Sequence, residues 1–119
     1  MKTQILVIGR NDEILKILDR LINKNENWQG YIANNDEKAI ELFQQYSIDL
    51  VLLSSGIPEE SEQKLRKLFS IQDANVSIVQ HYGGGSGLLE NEILEALSAK
   101  RQSVFNFNDN PFSDRNNYK

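Results

Sequence analysis

Apolar positions along the chain switch between two spacings. Ile5 to Ile8 is an unbroken apolar run, preceded by Gln4 and closed by Gly9, and reads as a strand buried on both faces. Ile14, Leu15, Leu18, Leu21 and Ile22 then recur at helical spacing, with Asn11 or Asp12 placed as an N-cap. Trp28 to Ala33 is a shorter second strand, and Asn35-Asp36-Glu37 opens a helix carrying Ala39, Ile40, Leu42 and Phe43. Asp49 to Leu53 is the most hydrophobic strand, followed by a helix that starts at Pro58-Glu59-Glu60 and turns Leu65, Leu68 and Phe69 inward. Asn75 to Gln80 reads as a fourth strand, and Leu88 to Lys100 as a fourth helix with Leu89, Ile93, Leu94 and Leu97 on one stripe. Ser103 to Phe107 is expected to be a fifth strand.

Strict alternation of strands and helices predicts an α/β fold: a parallel sheet with helices on both faces, a three-layer flavodoxin-like sandwich of strand order 2-1-3-4-5. The reading divides the chain into one α/β domain, residues 1–107, and a polar tail, residues 108–119. Only FSDRNNYK follows Pro111, so the fifth helix of such a domain is expected to be reduced or missing. That helix would share a face with the first one. Its loss predicts uncovered apolar surface there and a partner chain to cover it.

Composition narrows the function classes. The chain has 119 residues, a formal net charge of −4 and no cysteine. An acidic surface argues against nucleic-acid or anionic-membrane partners, and Gln63 to Lys67, with three cations, reads as a solvated helix face. Disulfides, thiolate metal sites and cysteine nucleophiles are excluded. The apolar run near Met1 is too short for a secretion signal or a membrane span, and a cytoplasmic location is expected. The single histidine, His81, reads as a sheet-end residue, because one histidine does not make a typical metal site. Trp28 and Tyr31 are expected to pack beneath a helix.

Two blocks, ILVIGRNDEIL from Ile5 and NDEKAIELFQQYSIDLVLLSSGIP from Asn35, resemble the response-regulator receiver family, the CheY-like half of two-component signalling. With the alternation, the likeness spans roughly residues 4–107. The resemblance implies an acid pair that helps hold Mg²⁺, an aspartate that accepts a phosphoryl group, and a hydroxyl residue and a lysine that respond to the new charge. In this chain the acid pair falls on Gly9 and Arg10, the acceptor on Ser54 and the hydroxyl residue near Gln80. The lysine position falls on Asn106 by spacing, or on Asn110 before Pro111-Phe112. Every one of these positions departs from the family pattern. The resemblance therefore implies the scaffold without its phosphoryl chemistry. Asp12 and Glu13 read as helix-dipole partners, and Ser54 and Ser55 have no visible base to activate them.

The loop Gly83-Gly84-Gly85-Ser86-Gly87 follows the fourth strand, where open α/β sheets place their ligands. Successive glycines can aim N–H groups at an anion, or can serve only as a tight connection. With Arg10, Ser54 and Ser55 at the same edge, the loop marks a candidate site for a small anion or nucleotide. Neither a Walker lysine nor a GxGxxG pattern accompanies it. The loop and the serines are also similar to cobalamin-binding domains, but that family's DxHxxG is absent, since the segment reads GRNDEI. The expectation from sequence is a degenerate receiver-like domain that binds a protein partner or a second copy, with neither catalysis nor cofactor. An anion-binding role is the alternative.

Overall fold

The computed structural model describes residues 2–81 and 86–109, without the side chains of residues 86, 87 and 100–109. Its elements alternate as β1 (Thr3–Ile8), α1 (Asp12–Asn23), β2 (Trp28–Ala33), α2 (Asp36–Gln45), β3 (Leu50–Leu53), α3 (Glu59–Gln72), β4 (Ser77–Gln80) and α4 (Ser86–Asp109). The strands form one parallel sheet of order β2-β1-β3-β4. The helix starts follow from local chemistry. Asn11 accepts from the N–H groups of Glu13 and Ile14, and Asn35 accepts from that of Lys38. Each cap is followed by two acids that face the positive end of the helix dipole.

Alternation along the strands sorts the core into two layers. On one face, Leu6, Ile8, Val51 and Leu53 pack against Ala39, Leu42 and Phe43 of α2 and Leu65 and Phe69 of α3. The Phe43 and Phe69 rings stack there with centroids 4.2 Å apart. On the other face, Ile5, Val7, Leu50 and Leu52 meet Leu15, Leu18 and Ile22 of α1 and Leu89 and Ile93 of α4. Trp28 belongs to this second layer and is buried, as expected; Tyr31 stacks on Tyr46. The three-layer sandwich is the predicted one, with four strands and four helices among the described residues.

Two expectations are corrected. The surface beside α1 is covered, because α4 packs on that face. The fifth strand expected at Ser103–Phe107 is absent, because those residues continue α4 to Asp109. The reason is visible in the chain. No Gly or Pro stands between Leu88 and Asp109, and a nucleated helix propagates until something stops it. Topology agrees. Right-handed crossovers put α1 on one face, and α2 and α3, which step the other way along the sheet, on the opposite face. A further parallel strand beyond β4 would need its crossover helix on the α2/α3 face. With α4 on the α1 face, a fifth strand in that place would demand a left-handed connection. The helix also runs past the domain boundary expected at residue 107, and residues 110–119 lie outside the described part.

Candidate functional site

The carboxyl ends of β1, β3 and β4 bring together Gly9, Arg10, Ser54, Ser55, Gln80 and His81, and the start of α2 adds Asp36. Gly9 and Ser54 are in intimate contact. A Cβ built at Gly9 would lie 3.1 Å from the Ser54 Cβ and 3.2 Å from Leu15 Cδ2. Ser54 is buried at 4% exposure. A side chain at position 9 has no room without displacing one of these neighbours. The place where the resemblance puts a carboxylate is therefore filled by packing.

Beside it lies an ion network that sequence reading missed. Arg10 donates to Asp36 Oδ1 at 2.6 Å, and Lys64 of α3 reaches Asp36 Oδ2 at 3.0 Å. Burial alone would raise the Asp36 carboxyl, but hydrogen bonds from Lys64, Arg10 and Ser61 outweigh it and hold the group below its ordinary value. Arg10 was the expected cation of an anion site; its guanidinium is committed to Asp36 and to the Gly9 carbonyl. Lys64, read as part of a solvated face, is the second cation of the network. Two cations flanking one carboxylate disfavour a divalent metal here.

Gln80 turns its amide to the Leu53 carbonyl, and the His81 N–H donates to the same carbonyl at 2.8 Å. The register Leu53↔Gln80 sets His81 beside Ser54 on the α1/α4 face. His81 is a base near Ser54 that the sequence did not reveal. However, its Nδ1 is bonded to Glu92 of α4, and no hydrogen bond joins it to Ser54 among the described residues. Gly56 closes the turn after Ser55 with a positive φ of 91°, a conformation that suits glycine. Of the glycine loop, Gly83, Gly84 and Gly85 lie outside the described residues, while Ser86 and Gly87 open α4. Asn106 lies near the far end of α4, about 30 Å along the helix from Ser86, and so away from this edge. Asn110, the other lysine-equivalent position, lies outside the described residues.

Comparison with known proteins places this geometry. No family model matches the chain, and no curated protein matches it. Solved structures do match. A CheY-like response regulator receiver domain protein from Methanospirillum hungatei JF-1 superposes with a TM-score of 0.66 at 17% identity, covering 87% of this chain and 99% of that one. The signal receiver domain of an HD domain-containing protein from Pseudomonas fluorescens Pf-5 gives 0.62 at 14% identity, over 86% and 99%. The co-crystal structure of the Saccharomyces cerevisiae phosphotransfer protein Ypd1 with the receiver domain of Ssk1 gives 0.54 at 19% identity, over 73% and 68%. The chain has the CheY-like receiver fold. Among its described residues no helix is long and apolar enough to cross a membrane.

Proposed function

We propose that this chain is a degenerate receiver-like signalling domain that acts by associating with another protein and transfers no phosphoryl group. One observation carries the reading. At the edge where the resemblance expects carboxylates and Mg²⁺, Ser54 is packed against Gly9 and the neighbouring charge is the Arg10–Asp36–Lys64 network. A buried hydroxyl packed against a glycine is a poor phosphoryl acceptor, and a guanidinium in the metal's place repels the cation that phosphoryl transfer uses. Association is supported by the outer layer. Ile14 and Ile17 of α1 and Leu88 and Leu94 of α4 are each between 38% and 50% exposed. The pairing of the Ssk1 receiver with Ypd1 offers a precedent on the same fold.

The test is incubation with Mg²⁺ and acetyl phosphate, read by intact mass. The mass is expected to stay unchanged; gain of one phosphoryl group would overturn the reading. Sedimentation of the protein alone then separates a homodimer from a monomer that awaits a different partner. The anion-binding alternative loses its main cation to Asp36, and nothing in the described loop residues restores it.

A further inference from the structure

β4 ends the sheet, and one long side of it is unpaired among the described residues. In a parallel ladder, backbone groups of successive residues point alternately to either side. The N–H groups of Ser77 and His81 turn towards β3, donating to the Asp49 and Leu53 carbonyls. Ile78 and Gln80 therefore direct their N–H and C=O groups outward. This strand lacks the usual protections of an edge: no Lys or Pro stands in Ser77-Ile78-Val79-Gln80, and no bulge interrupts its register with β3. Its shortness is the one such device among the described residues. Among the described residues α4 packs on the α1 face and supplies no fifth strand to this edge.

Alongside this edge runs a groove of about 510 Å³ between β4 and α4, lined by Val79, Glu92, Glu95, Ala96, Ser98 and Ala99. Three of the lining residues, Ala96, Ser98 and Ala99, are small, which leaves room for a backbone. The charge of the lining is wholly acidic. Glu92 is engaged by His81, and Glu95 forms no ion pair among the described residues.

Charge decides the occupant. A second copy added edge to edge would be related by a twofold axis, with Ile78 opposite Gln80 of its mate and Val79 near the axis. Those backbone groups could pair. The same operation, however, sets the Glu92 and Glu95 groove against its own duplicate, carboxylate facing carboxylate. Like charges so placed are repulsive. An extended segment carrying cations meets no such cost, and every second side chain of an added strand would fall on the α4 side. We infer that the β4 edge and the acidic flank of α4 form a strand-accepting groove for an extended segment of another protein, with Lys or Arg at alternate positions and apolar residues between them. This rests on the association reading above and adds to its apolar outer layer a second surface with a partner of defined chemistry.

The experiment is a titration of the ¹⁵N-labelled full chain with a capped peptide alternating lysine and valine, and in parallel with one alternating glutamate and valine. The lysine peptide is expected to shift the amide signals of Ile78 and Gln80 and to slow their hydrogen exchange, and the glutamate peptide to leave both unchanged. Glu95→Lys, an exposed substitution whose spectrum reports directly on folding, is expected to weaken binding by about tenfold. The proposal is overturned if neither peptide binds, if both bind alike, or if Glu95→Lys leaves the affinity unchanged. It is also overturned if the Ile78 and Gln80 amides are already protected in the free protein, since the edge would then be covered by this chain or a second copy. Failure of the degenerate-receiver reading shows separately, as phosphorylation in the acetyl phosphate assay.

Discussion

Replacing Asp36 by alanine tests the site most directly, because one carboxylate joins three elements. Asp36 opens α2, Arg10 follows β1 and Lys64 stands on α3. The Arg10 contact is short, with side chains 27% and 16% exposed, so a charged hydrogen bond of about 1.5–3 kcal/mol is the fitting scale. Lys64 is 58% exposed and its pairing is screened to about 0–0.5 kcal/mol. Loss of a first-turn acid from α2 adds about 0.3–1 kcal/mol. Burial of the carboxylate opposes these gains, and the net expectation is a loss of about 2–3 kcal/mol at neutral pH. With a urea slope of about 1.5 kcal/mol/M for a domain this size, the midpoint should fall by about 1.5–2 M. The pH dependence has a defined sign. The folded Asp36 titrates below its ordinary value of 3.8, so its contribution is fully present above that pH and is lost as pH falls through the lower, folded value. Wild type and variant should therefore converge in acid. Midpoints at neutral pH within about 0.3 M of each other, or a difference that persists undiminished to about pH 2, would refute the reasoning.

Three further outcomes follow from the same edge. Gly9→Ala should cost about 1–3 kcal/mol by crowding Ser54 and Leu15, and because the contact is with the Ser54 Cβ, Ser54→Gly should rescue part of that loss where Ser54→Ala does not; a double-mutant cycle by denaturation reads the coupling. Gly56→Ala should cost about 1–2 kcal/mol in a thermal melt although its surroundings are open, since the nearest atom to an added Cβ is Arg10 Cβ at 3.7 Å and the cost lies in the backbone at φ 91°. Glu92→Ala should destabilise by about 1–3 kcal/mol by stripping a buried histidine of its partner, measured by chemical denaturation; an unchanged midpoint would mean that His81 finds another acceptor at no cost.

The first strand and the helix starts were legible because they rest on local signals: Ile5 to Ile8 has no polar position, and Asn11 and Asn35 stand just before helical periodicity begins. The layer chosen by α4 was not. Leu89, Ile93 and Leu97 declare an amphipathic helix, yet nothing in their spacing says which side of the sheet it meets. Val104-Phe105-Asn106-Phe107 alternates like a strand, and only the lack of a breaker before it argues for helix. At the site, the serine at the position where the resemblance expects an acceptor was legible, whereas the role of Asp36 was not. A first-turn aspartate looks like a dipole partner, and its meeting with Arg10 and Lys64 is produced by the sheet, which gathers loops distant in sequence. The His81–Glu92 pair was hidden likewise, since its members stand just past β4 and on the helix across the loop.

The position of β4 also sets how the molecule comes apart. Among the described residues β2 and β4 each have one neighbour, but β2 pairs with β1 from Thr3↔Trp28 to Ile8↔Ala33, whereas β4 pairs with β3 only from Leu50↔Ser77 to Leu53↔Gln80. The last strand and the helix after it are therefore the cooperative unit with the least holding it, and partial opening should begin there while the β2-β1-β3 core persists. Release of α4 uncovers Leu50 and Leu52, so the first non-native surface this chain shows to a protease or chaperone is the apolar back of its third strand.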